Sequence, residues 1–170
     1  VPGVESWASL SVMQTMEDIE DDFYIDEETG ETIYPGFIPR PTDQRVNFSL
    51  FFQDYLPGNP NYKMHLSMMY GTGLPFGPPK SDKYQDILRM PDYRRVDIGF
   101  SAVIKDEDKK GKNNFLNKLN SMWISVEVFN LLDIDNTVSY LWVADVSGRQ
   151  YAVPNYLTSR QINFKLIVSF

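Results

Sequence analysis

The chain has 170 residues, 42% hydrophobic and 23% charged, a composition that suits one ordinary globular domain and equally a set of barrel strands. A net charge of −7 speaks against a nucleic-acid partner, and the absence of cysteine removes disulfides, thiolate metal sites and cysteine nucleophiles. No run of about 18 apolar residues occurs, which excludes a membrane-spanning helix but not membrane-spanning strands, since these place only alternate residues in lipid.

The opening VPGVESWASL has no basic n-region and no apolar h-region, so it does not read as a signal peptide. Residues 4–15 alternate loosely as a strand, with Val4, Ala8, Leu10 and Val12 on one face and Glu5, Trp7, Ser9, Ser11 and Met13 on the other. The stretch EDIEDDFYIDEETGETIYPGFIPRP is acidic and interrupted by three prolines, which predicts a long polar loop with a hairpin turning at Glu28-Thr29-Gly30. Residues 44–56 resume as a strand, Val46, Phe48, Leu50 and Phe52 alternating with Asn47, Ser49, Phe51 and Gln53. PGNPN at 57–61 predicts a tight turn, with Gly58 and Asn59 suited to positive φ.

The returning strand NYKMHLSMMYGTG sets Met64, Leu66, Met68 and Tyr70 against Lys63, His65 and Ser67. Four prolines in LPFGPPKSDKYQDILRMPD predict a long surface loop. Residues 93–104 set Val96, Ile98, Phe100, Ala102 and Ile104 against Arg95, Asp97, Gly99 and Ser101, and the charged run KDEDKKGKNNFLNKLN follows as a connection. Residues 122–132 set Ile124, Val126 and Val128 against Ser125, Glu127 and Phe129. A third excursion over 133–159 holds a candidate hairpin, TVSYLWVAD and RQYAVPNY around Val146-Ser147-Gly148. The chain ends on RQINFKLIVSF, with Ile162, Phe164, Leu166, Val168 and Phe170 facing one way and Gln161, Asn163, Lys165 and Ser169 the other.

Six main strands are thus joined by long, short, long, medium and long connections. Membrane barrels alternate long outer loops with short periplasmic turns in this way, which would send the C-terminus to the periplasm; the connection at 105–120 is long for a periplasmic turn. Tyr55, Tyr62, Tyr70, Tyr93 and Phe170 sit near strand ends, as interfacial aromatic girdles do, and core packing would also account for them. A soluble β-sandwich binding module is the competing reading of the same alternation.

Candidate chemistry is sparse. His65 is the single histidine, which makes triads and His-rich metal sites hard to build, and no Gly-rich phosphate loop is present. The chain is therefore expected not to be an enzyme and to carry no cofactor or metal. His65 and Lys63 read as lumen-facing, as do Arg95, Asp97 and Glu127. The acidic run Glu17, Asp18, Glu20, Asp21, Asp22, Asp26, Glu27, Glu28 and Glu31 reads as a solvated loop; an ion or basic cargo is the sharper alternative, although the spacing matches no EF-hand.

Several segments together resemble the C-terminal part of the barrel of TonB-dependent outer-membrane receptors of the Bacteroidetes kind: GVESWASLSVMQT, PRPTDQRVNFSLFFQDYLPGNPNYKMHLSMMYGTGLPFGPP, YRRVDIGF, ISVEVFNLLDIDNTVSYLWV and YAVPNYLTSRQINFKLIVSF. FNLLDIDNTVSYLWV followed by YAVPNYLTSR and a terminal aromatic strand is the most specific part of that likeness. The resemblance implies an all-β, antiparallel transmembrane β-barrel, with residues 1–170 the C-terminal six strands of a larger barrel of about 22 strands whose plug and first strands lie elsewhere. It implies energy-coupled import across the outer membrane of a Gram-negative bacterium. A structural, partner-binding role in a larger outer-membrane assembly is the alternative on the same fold. The implied partners are the remaining barrel and its plug, outer-membrane lipid, TonB through the plug, surface lipoproteins, and the barrel-insertion machinery. That machinery would read Phe164, Leu166, Val168 and Phe170.

Overall fold

Strands form wherever β-branched and aromatic residues alternate with polar ones, and they stop where glycine, proline or a residue of positive φ breaks the ladder. The computed structural model describes residues 5–26, 28–79, 87–105 and 119–170. In chain order they form β1 (Glu5–Val12), β2 (Met16–Glu17), β3 (Tyr24–Ile25), β4 (Thr32–Ile33), β5 (Ile38–Pro39), β6 (Val46–Leu56) and β7 (Asn59–Gly71). Next come β8 (Pro75–Phe76), β9 (Leu88–Arg89), β10 (Tyr93–Lys105), β11 (Ser121–Phe129), β12 (Thr137–Ala144), β13 (Gln150–Tyr156) and β14 (Gln161–Ser169). No helix occurs among the described residues.

One six-stranded antiparallel sheet, in the order β1-β6-β7-β10-β11-β14, holds all the long strands except the β12–β13 hairpin. Its register sorts the side chains into two faces. One row runs Phe52, Leu66, Ile98, Val128, Ile162, and the next runs Met64, Phe100, Val126, Phe164. On the opposite face a row runs Glu5, Gln53, His65, Gly99, Glu127, Asn163, and another Lys63, Ser101, Ser125, Lys165. The apolar face has no second layer among the described residues: Phe164 is 72% exposed and Leu166 57%, and the buried apolar side chains, Ile38 and Leu119, lie outside the sheet.

The strands are also staggered. Val12 stands seven residues above Glu5 in β1, whereas Gln161 stands only two above Asn163 in β14, although Glu5 and Asn163 share a row. The offset averages about one residue per strand across the sheet, and most of it falls between β10 and β11. At a rise of about 3.3 Å against a spacing of about 4.8 Å, strand ends held level correspond to a tilt of about 35°.

All three long excursions, 13–45, 72–92 and 130–160, leave from the same end of the sheet. Each builds a small ribbon of its own: β2–β5 and β3–β4 in the first, β8–β9 in the second, β12–β13 in the third. The hairpin read at Glu28-Thr29-Gly30 forms, with Gly30 at φ 70° between β3 and β4, and so does the one around Ser147, with Gly148 at φ 83°.

Three expectations are corrected. The turn read over 57–61 shrinks to Pro57-Gly58, because Gly58 alone takes positive φ and Asn59 already pairs with Leu56. The loop read over 74–92 contains β8 and β9. The strand read to residue 132 stops at Phe129, since Asn130 turns to φ 52° and the Leu131 N–H donates to the Val96 carbonyl at 2.7 Å. Val4 and most of the charged connection, residues 106–118, lie outside the described residues.

Gly99 sits at the middle of the polar face, where any Cβ would overlap the His65 ring. Gly99→Leu is expected to destabilise the folded protein by about 1–3 kcal/mol, the range for overpacking a filled site, in a denaturant titration. Combining it with His65→Ala is expected to recover much of that loss. Equal losses in the single and double variants would show that the ring is not the obstacle.

Candidate functional site

The structure brings Lys63, His65, Arg95, Asp97 and Glu127 together on the polar face, as their parity predicts. The His65 ring lies over Gly99 and stacks on Phe51 at 6.4 Å, and Phe51 in turn stacks on Trp7 at 6.2 Å. Arg95 Nε donates to both oxygens of Asp97, at 2.8 and 3.0 Å, and its guanidinium lies 5.5 Å from the centre of the Phe129 ring. Asp97 also accepts the Asn130 N–H at 2.8 Å. Lys63 Nζ stands over the Tyr55 ring at 5.6 Å, and Glu127 accepts from Asn163 Nδ2 at 3.0 Å. The Ser101 and Ser125 hydroxyls, 2.8 Å apart, close the row between Lys63 and Lys165. This surface is mixed in charge and largely self-paired, with aromatic rings among the polar groups.

Phe164, Leu166 and Val168 fall on the opposite, apolar face of β14, and Phe170 follows the strand at 84% exposure. Tyr62 and Tyr70 lie on that face too, near its two ends. Tyr55 and Tyr93 do not: pairing with Lys63 and Gly71 puts them on the polar face.

The excursion end is pinned by residues that sequence reading did not single out. Asp43 is fully buried; it accepts the Thr15 N–H at 2.7 Å and Arg45 Nε at 2.7 Å, and it binds the Arg89 guanidinium. Arg89 also donates to the carbonyls of Asp43 and Gly73, at 3.0 and 3.1 Å. The first excursion is thereby tied to the second. Burial pushes the Asp43 carboxyl up, but the Thr15 N–H, Arg45 and Arg89 outweigh it and hold the group at about 2.

Asn136 ties the third excursion to the sheet: its Oδ1 accepts the Arg94 N–H at 2.8 Å and its Nδ2 donates to the Arg94 carbonyl at 2.9 Å. Asn130 closes the preceding turn through Ile134, and Asp133, at φ 54°, accepts the Arg160 N–H at 2.8 Å where β14 begins. The available signal was the spacing of Asn130, Asp133 and Asn136 in FNLLDIDN, since short polar side chains are the ones that tolerate positive φ and bond nearby backbone. Phe76 of β8 stacks on Tyr140 of β12 at 4.4 Å, joining the second and third excursions directly.

Two outcomes follow from these pins. Asn136→Ala, which removes both bonds to Arg94, is expected to cost about 1–3 kcal/mol and to speed amide exchange at Arg94; unchanged exchange would mean the pair holds nothing. For Asp43 the folded-state pKa is depressed, so its contribution is complete above about pH 4 and lost as pH falls toward 2. Protection of the Thr15 amide is expected to drop over that window in the parent, whereas Asp43→Asn, which no longer titrates there, should show low protection throughout.

No protein-family model matches the chain, and no curated protein or solved structure matches it either.

Proposed function

We propose that the chain is the C-terminal six strands of a larger outer-membrane β-barrel, and that the barrel imports a substrate in the manner of TonB-dependent receptors. The observation that carries the barrel is the apolar sheet face, which no second layer covers among the described residues. An apolar area of that extent must meet a second protein layer or lipid. The stagger favours a barrel, because a tilt near 35° lies at the edge of the 35–45° range of closed β-barrels, membrane barrels among them.

Further support comes from the layout of the apolar face. Tyr62 and Tyr70 lie eight residues apart on β7, or about 26 Å of strand and about 21 Å of height at that tilt, close to the ~25 Å apolar band. Asp54 and Arg94, charged residues of the face, sit in the rows of Met64 and Tyr70, toward its two ends, where charge costs least in a bilayer. The self-paired polar face suits a wet lumen or a plug. Six strands are too few to close, and the outer edges of β1 and β14 would have to pair with further strands to be tolerated in lipid. The TonB-dependent type rests on the resemblance of FNLLDIDNTVSYLWV and its sequel.

The chain has no cysteine of its own, which permits a direct test. In the full protein reconstituted in bilayers, a fluorophore on a cysteine at Phe164 is expected to be quenched by nitroxide-labelled acyl chains, and one at Asn163 is not. Absence of quenching at 164 would sink the barrel and leave a sandwich whose second sheet covers this face. Leu166→Lys is expected to lower stability by about 2–4 kcal/mol if the residue lies near the midplane, and Ser67→Lys to be tolerated.

A further inference from the structure

As a whole the polar face is balanced, but its charges are not evenly matched. In its middle and toward the excursions Arg95 is held by Asp97, Glu127 by Asn163 and Glu5 by Gln53. At the opposite end a row runs Lys63, Ser101, Ser125, Lys165 across β7, β10, β11 and β14. Neither lysine makes an ion pair or a hydrogen bond among the described residues; Lys63 lies over the Tyr55 ring at 5.6 Å, and Lys165 is exposed. The next row beyond is apolar. Val103, Trp123 and Ile167 stand side by side there, the first two half-buried and Ile167 46% exposed. Two unmatched ammonium groups beside three apolar side chains suit a partner that brings both carboxylates and apolar groups.

The spacing indicates what kind of partner fits. Lys63 and Lys165 are three strand spacings apart, about 14 Å at about 4.8 Å each. An extended chain rises about 13 Å in four residues, so carboxylates at its first and fifth positions reach both lysines when it lies across the strands. The lysine row and the apolar row are about 6.6 Å apart along the strands. A chain in the gap between them turns its first, third and fifth side chains to the lysine row and its second and fourth to the apolar row, because side chains alternate. The third position then falls opposite the Ser101 and Ser125 hydroxyls, themselves 2.8 Å apart. A small inorganic anion would satisfy the lysines and leave the apolar row uncovered.

We propose that this end of the inner wall holds an extended acidic segment of the same protein's polypeptide, alternating acid, apolar, polar, apolar, acid. Its carboxylates pair with Lys63 and Lys165, and its apolar side chains cover Val103, Trp123 and Ile167. The proposal rests on the barrel reading, in which this face is the interior.

The test is carbodiimide cross-linking of the purified full protein, which joins a lysine amine to a carboxylate where the two are in contact, followed by mass spectrometry of the digested product. Lys63 and Lys165 are each expected to link to an acid outside residues 1–170, the two acids lying four residues apart. Lys63→Gln and Lys165→Gln are each expected to lose their own link, and high salt during the reaction is expected to lower the yield several-fold. Links confined to acids within these residues, such as Glu127 or Asp106, Glu107 and Asp108 of the β10–β11 connection, would overturn the proposal. So would external acids at another spacing, or no link at either lysine. Lipid quenching at position 164 is measured on the same preparation. Quenching without the external links removes this proposal alone, whereas no quenching removes the barrel and the proposal together.

Discussion

The structure depends on one constraint: a single antiparallel sheet whose register gathers most of its apolar side chains on one face that no second layer covers among the described residues. Side chains alternate with period two, so the ladder from β1 to β14 needs only to stay in step for Phe52, Leu66, Ile98, Val128 and Ile162 to line up. Slipping one strand by a residue would send its charged or polar set, such as Lys63 and His65 on β7, onto the apolar side. Because the buried apolar residues lie outside the sheet, the ordinary source of folding stability is missing from these strands. Whatever covers the face supplies that stability, which is why the identity of the cover and the role of the protein are one question.

The same constraint explains the excursions. Backbone that leaves a sheet must satisfy its polar groups again, and here it does so by folding into short ribbons and fastening them with a few side chains. Asp43 and Arg89 join the first two excursions, Asn136 fastens the third to β10, and the Phe76–Tyr140 stack bridges the second and third. The three long insertions at one end of the sheet are therefore linked to one another and to the strands that carry them. A surface built this way is preorganised, and preorganised loops lose less entropy on binding than slack ones.

Alternation made the five strands from β6 to β14 of the large sheet, and the faces of the residues that alternate cleanly along them, readable in advance. What it could not reveal were features without a period. Two-residue ribbons such as β8–β9 leave no pattern to count, and the Pro57-Gly58 turn was overestimated because the prolines and asparagines around it suggested a longer one. Asp43 was invisible because it matters only through Thr15 and Arg89, which lie 28 and 46 residues away in sequence. Tyr55 and Tyr93 looked like girdle residues from their place near strand ends, yet parity sends them to the polar face. Position along a strand and side of a strand are separate facts, and proximity to a turn reports only the first.

The distribution of charge adds a last step. On the polar face charges meet partners within a few ångströms, as in Arg95 with Asp97, so that wall presents a weak field to anything beyond it. In the first excursion the acids greatly outnumber the cations, and the excess cannot be neutralised internally. Screening limits such a field to about 8 Å at physiological ionic strength, so the excursion acts on what arrives beside it and not on distant solutes. The excess negative charge of the first excursion therefore stands at the end of the sheet from which all three excursions leave, and the balanced polar face adds little to it. Cationic groups beside the hairpin are attracted by that excess, and anionic ones are repelled.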